Sequence, residues 1–202
     1  MDDFDFDFDF EATAAPDICA ILKRMDAKER KTFNADDEIW QLKRIMPELP
    51  KRNEVFKMLS VRGGFASIGL ITYIASKERI NHLYVSTFRI GLKQFDVLID
   101  LHERGLLDQA DFITSGMQGQ NGAKYDYLSP IVDGCMERGW GMRELNNHSK
   151  IILAETNENW YVIETSSNLN ENPKVEQFSF ENDAGLFEFY EDFFKSILLR
   201  GR

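Results

Sequence analysis

Four side chains late in the sequence are of types that act together on phosphate: His148, Lys150, Ser166 and Asn168. They flank two short apolar runs, Ile151 to Ala154 and Trp160 to Ile163, separated by the polar stretch Thr156-Asn157-Glu158-Asn159. Runs of that length with so short a polar connection read as a β-hairpin. A hairpin brings its open ends together, so His148 and Lys150 approach Ser166 and Asn168. Residues two apart on a strand share a face, which sets the imidazole and the ammonium side by side. A nucleophile or base, a fixed cation and two neutral donors on one surface form a phosphate-reacting constellation. Each residue also has an ordinary reading: Lys150 as a solvated strand lysine, Ser166 and Asn168 as turn formers, and His148 as a structural histidine.

The pattern His148-x-Lys150, the acid Glu155 and Ser166-x-Asn168 together resemble the HxK(x4)D…GSxN signature of the phospholipase D superfamily. Glu155 stands where the family has Asp, and Thr165 where it usually has Gly. Glu176 matches the acid that often follows downstream. The resemblance extends more loosely over about residues 54 to 195. His-x-Lys alone carries no information; its combination with Ser-x-Asn and a trailing Glu does.

The resemblance implies an α/β fold, a phospholipase D-like half-domain whose mixed, mainly parallel sheet carries helices on both faces. It implies that His148 attacks phosphorus to form a phosphohistidine, while a second His148 protonates the leaving alkoxide and later activates water. Histidine suits both tasks because its unperturbed pKa of ~6.5 lies near working pH. Lys150, Ser166 and Asn168 would hold the non-bridging oxygens, Glu176 would orient His148, and Glu155 and Thr165 would support the motif structurally. There is one His-x-Lys motif and no internal repeat, and single-motif members complete the site by dimerising, so a two-fold homodimer is expected. The family's chemistry uses neither metal nor cofactor.

The elements that must position these residues can be read in order. Residues 1–15 form an acidic and aromatic tail in which Asp and Phe alternate strictly from Asp3 to Phe10. Extended, it sets four phenylalanines on one face and carboxylates on the other, which reads either as a docking strand for a protein partner or as a plain tail. Residues 16–50 read as a helical N-terminal extension, first with Ile18, Ile21, Leu22 and Met25, then with Ile39, Trp40, Leu42, Ile45 and Met46 behind the cap-rich Asn34 to Glu38. The main domain spans 51–202. Its spacing predicts strands at 55–61, 83–88, 112–114, 141–145 and 178–180, and helices at 65–76, 95–102, 125–138 and 184–199, with a glycine-rich loop at 116–122. Strands alternating with helices indicate a parallel α/β sheet. Arg62-Gly63-Gly64, at a strand-to-helix turn, is a candidate place for phosphate to approach backbone N–H groups. His82 and His102, expected before a strand and at a helix end, read as structural.

Composition limits the partners. The 202-residue chain has a net charge of −10, which disfavours broad coating of nucleic acid but leaves room for a locally basic cleft. No apolar stretch approaches the ~20 residues of a membrane helix, and the acidic start is unlike a signal peptide. Cys19 and Cys135 lack metal or redox spacing and suit a reducing cytoplasm. Three functions follow. The first is a nuclease-like phosphodiesterase acting on nucleic acid or another phosphodiester. The second is a catalytically inactive nucleic-acid-binding or assembly protein on the same fold. A lipid hydrolase is third, disfavoured because there is no amphipathic membrane-binding stretch.

Overall fold

The computed structural model describes residues 38–61, 64–115, 128–170 and 174–198. The 1–15 tail, the 16–25 helix, Arg62, Gly63 and the 116–122 loop lie outside them. A short helix, α1, runs over 38–45. Then come β1 (Val55–Ser60), α2 (Ser67–Ala75), β2 (Ile80–Ser86), α3 (Leu92–Glu103), β3 (Leu107–Ser115), α4 (Ser129–Arg138) and β4 (Gly141–Leu145). The hairpin β5 (Ile151–Glu155) and β6 (Trp160–Thr165) follows, and the chain closes with β7 (Glu176–Asn182) and α5 (Ala184–Leu198).

Among the described residues seven strands form one sheet in the order β1-β7-β6-β5-β2-β3-β4. The pairs β2–β3 and β3–β4 are parallel, while β2–β5, β5–β6, β6–β7 and β7–β1 are antiparallel. The α/β class and the helices on both faces are as expected, but the expected predominance of parallel pairing is not. Strand–helix alternation implied that β1 and β2 were neighbours. In the structure the meander β5-β6-β7 inserts between them, and a meander pairs antiparallel by construction.

Helices α2, α3 and α4 cover one face over a core that includes Leu70, Ile74, Leu98, Phe112, Ile131 and Phe180. Leu42 and Met46, from α1 and the turn after it, belong to the same cluster, and the Tyr73 hydroxyl donates to the Met46 carbonyl at 2.6 Å. Helix α2 is apolar almost all round because it is buried on nearly every side. Gly69 permits this, since a Cβ there would sit 2.3 Å from the Glu38 carboxylate. On the opposite face, α5 lays Phe187 and Phe194 over Tyr84, Ile113, Leu153 and Val162.

The far end of the hairpin is pinned by Glu78. Its carboxylate accepts hydrogen bonds from the Thr156 hydroxyl (2.7 Å), the Asn159 amide (2.9 Å) and the Tyr161 hydroxyl (2.8 Å). That connection is therefore locked in register, and with it the opposite, open end of the hairpin.

Candidate active site

The strand registers bring the open end of the hairpin to one edge of the sheet. Ser86 at the end of β2 pairs with Ile151, Ile151 with Glu164, Thr165 with Phe178, and Ser60 at the end of β1 with Glu176. His148 to Lys150 lead into β5, Ser166 to Asn168 leave β6, and Glu176 opens β7. Residues far apart in sequence thus converge along a single edge. Helices α2 and α3 also begin here: Ser67 Oγ donates to the Ser167 carbonyl (3.2 Å) and Gly91 N to the Leu169 carbonyl (2.7 Å). Their N-terminal ends, which carry the positive end of the helix dipole, lie beside Ser167 to Leu169.

The approach to His148 is fixed by Asn147, a residue the sequence reading passed over. Its buried side chain donates to Ser86 Oγ (3.0 Å) and to the carbonyls of Thr87 and Ile113 (3.2 Å each). Its Oδ1 accepts from Ser149 N (3.0 Å) and Ser149 Oγ (2.8 Å). Ser149 Oγ also lies 2.5 Å from Ser86 Oγ. With Asn147 and Ser149 turned in towards β2 and β3, the alternation turns His148 outward, where it is exposed, and leaves Lys150 partly buried.

Lys150 Nζ donates to the His148 carbonyl at 2.8 Å and stands 3.5 Å from His148 Nδ1. Burial pushes the ammonium below the ordinary lysine value, and the Glu176 charge partly offsets that shift. Glu176 is itself buried and accepts a hydrogen bond from Ser166 Oγ. Ser166 Oγ accepts in turn from Gln177 N at 3.1 Å. Thr165 donates through Oγ1 to the Gln177 carbonyl (2.8 Å) and accepts from Ser167 N (2.9 Å). Asn168 Oδ1 lies 3.5 Å from Thr87 Oγ1. The Phe88 ring packs against His148 with centroids 5.4 Å apart.

Other candidate residues lie elsewhere. Glu155 ends β5 at the far side of the sheet, in register with His82. His82 lies within β2 rather than before a strand; its Nε2 contacts Asp111 Oδ2 at 2.9 Å and its ring stacks on Tyr84. His102 Nδ1 meets the Leu107 carbonyl at 3.0 Å. The Gly64 N–H is directed to the Val61 carbonyl at 3.2 Å. Among the described residues no group of His, Cys, Asp and Glu is placed to hold a metal, and no helix is long and apolar enough to cross a membrane.

No protein-family model and no curated protein matches the sequence. Solved structures do match the fold. A phospholipase D family member, Nuc, from Salmonella typhimurium superposes with a TM-score of 0.55 at 13% identity, over 74% of this chain and 97% of Nuc. The chain shares the fold of this phospholipase D family member. Polyphosphate kinase from Porphyromonas gingivalis matches at a TM-score of 0.51 and 10% identity, over 70% of this chain but only 23% of that enzyme. Phosphatidylserine synthase from Haemophilus influenzae gives 0.49 and 14%, over 68% of this chain and 37% of the synthase. The fold thus matches nearly the whole of Nuc and about a quarter of the polyphosphate kinase.

Proposed function

We propose that this protein is a metal-independent phosphodiesterase, a nuclease that works through a phosphohistidine in a homodimeric site. The observation that carries the reading is the convergence of His148, Lys150, Ser166, Asn168 and Glu176 on one sheet edge. There, a histidine, a partly buried cation and hydroxyl and amide side chains stand together beside two helix N-termini.

In the reaction, Nε2 of one His148, the ring nitrogen away from Lys150, attacks phosphorus. The scissile P–O bond breaks, and its electron pair stays on the leaving oxygen, which takes a proton from the imidazolium of the second copy's His148. Water then attacks the phosphohistidine, giving its proton back to that imidazole as the P–N bond breaks. Lys150, Ser166 and Asn168 face the charge that grows on the non-bridging oxygens. One histidine cannot be nucleophile and acid in the same step, which is why the reading requires two copies. The acid–aromatic tail, residues 1–15, is assigned to docking of a protein partner, outside the chemistry.

Cleavage of single- and double-stranded nucleic acid, followed in EDTA, tests the proposal. Wild type is expected to cut and His148→Ala to be inactive, with sedimentation velocity giving a dimer at micromolar concentration. Cleavage that survives His148→Ala removes the mechanism. Salt-sensitive binding without cleavage on any substrate replaces the enzyme with a binding protein on the same fold.

A further inference from the structure

Two side chains beside His148 take no part in that chemistry. Phe88 and Arg89 follow β2 directly; Phe88 is half-buried and Arg89 exposed. The Phe88 ring is inclined 49° to His148 at 5.4 Å, and the Arg89 guanidinium lies over the Phe88 ring, 5.5 Å from its centroid. Among the described residues Arg89 makes no ion pair. The loop that carries them is held on both sides. Thr87 Oγ1 donates to the Arg89 carbonyl (3.0 Å) and accepts from Leu169 N (3.1 Å), while Ile90 bridges to Leu169. An aromatic side chain is thereby held in place next to the reacting histidine, with an unpaired cation above it.

We propose that Phe88 is the platform on which a nucleobase adjoining the scissile phosphate stacks, and that the substrate is accordingly a single-stranded polynucleotide. The inference rests on the phosphodiesterase reading of His148 and Lys150. An aromatic ring accepts the flat face of any base, and only an unpaired, unstacked base can present one. Arg89 is long and exposed, so it can yield that face of the ring and keep its charge beside a backbone phosphate. A lipid substrate would want a broad apolar surface here, whereas the side chains shown against the Phe88 ring are a histidine and an arginine.

The experiment is fluorescence anisotropy with a labelled oligothymidylate and a backbone of equal length and charge made wholly of abasic sites. The full chain carries His148→Asn so that neither probe is cut. Phe88→Ala is expected to weaken the oligothymidylate about tenfold to a hundredfold and to leave the abasic strand within about twofold. Phe88→Trp should keep tight binding, and Phe88→Leu, which preserves apolar volume, should lose affinity for the base-bearing probe alone. Lys150→Ala should weaken both probes equally. Equal losses on both probes with Phe88→Ala, or none, overturn the platform. Failure of Lys150→Ala to affect either probe overturns the phosphodiesterase reading, and absence of binding to either probe by the parent chain overturns both.

Discussion

Asn147→Ala should cost stability out of proportion to the three heavy atoms it removes, because Asn147 fills a buried polar junction. Its amide serves Ser86, Thr87 and Ile113, and its Oδ1 serves both the N–H and the hydroxyl of Ser149. Some of these groups keep a partner after truncation. The Ser86 and Ser149 hydroxyls still bond each other, and the Ile113 carbonyl still accepts from Thr87 N at 3.0 Å. The Thr87 carbonyl and the Ser149 N–H lose the bonds described for them. At about 1–3 kcal/mol for each unsatisfied buried group, the two together cost about 2–6 kcal/mol. For a domain of this size that lowers Tm by roughly 4–24 °C. Asn147→Asp should be worse at neutral pH, since an anion would face the carbonyls of Thr87 and Ile113. Its folded-state pKa would be raised, so the added loss is absent in acid and grows as pH climbs past the usual carboxyl value of about 4. Urea unfolding followed by tryptophan fluorescence measures both variants. A loss below about 1 kcal/mol for Asn147→Ala, or an Asp variant as stable as the Ala variant at pH 7, would refute the assignment.

Other outcomes are equally specific. Glu176→Gln removes the charge that holds the Lys150 ammonium up against its burial; affinity for phosphate, which needs the charged form and fades as pH rises through the Lys150 pKa, should then fade at lower pH than in wild type, as an alkaline titration of binding would show. Glu78→Ala breaks three side-chain hydrogen bonds at the closed end of the hairpin and should lower stability by about 2–3 kcal/mol in a urea titration, while kcat at the distant edge changes little. Burial pushes the Cys135 thiol up to about 12, so a disulfide reagent at pH 8 should label it only after denaturant is added. Deleting residues 2–10 should leave Tm within about 1 °C, as expected if that acidic, phenylalanine-rich segment serves partner docking rather than the core.

How much of this was legible in the sequence depended on the kind of signal each residue carried. The hairpin was, because Ile151 to Ala154 and Trp160 to Ile163 are apolar runs bounded by polar residues, and the strands extend them by only a residue or two. β3 was read as three residues and spans Leu107–Ser115, because its first half, Leu-Asp-Gln-Ala-Asp, is polar. Asp111 in that half accepts from Gly141 N and contacts His82, so the polar residues bond laterally to neighbouring strands. Sheet order was not legible, since no local pattern records that the closing meander inserts between the first two strands. Nor was Asn147: an asparagine ahead of a strand reads as a turn former, and its five buried contacts reach residues 34 to 61 positions away as well as Ser149. Glu176 was found by position, whereas its contact with Ser166 needed the register of β7 against β6 and β1.

A net charge of −10 and the proposed phosphate site are compatible because residues 1–37, with eleven acids against five lysines and arginines, account for six of those charges, and further acids of the sheet domain lie on the face away from that edge. Glu188, Glu191 and Asp192 ride on α5, which covers the face opposite α2 and α3. Glu191 is further engaged by Lys195 at 2.7 Å and by the Tyr84 hydroxyl. Lys150, Arg89 and the N-termini of α2 and α3 belong to the edge where His148 stands. The acid at that edge, Glu176, is buried and bonded to Ser166, so it acts on Lys150 rather than on approaching solvent. With a Debye length of about 8 Å at physiological ionic strength, an incoming phosphate responds to the charges of that edge and hardly to those across the sheet. The overall acidity then works against non-specific adhesion to nucleic acid while the edge retains its attraction, so binding should be confined to a short stretch of strand and depend on only a few phosphate contacts.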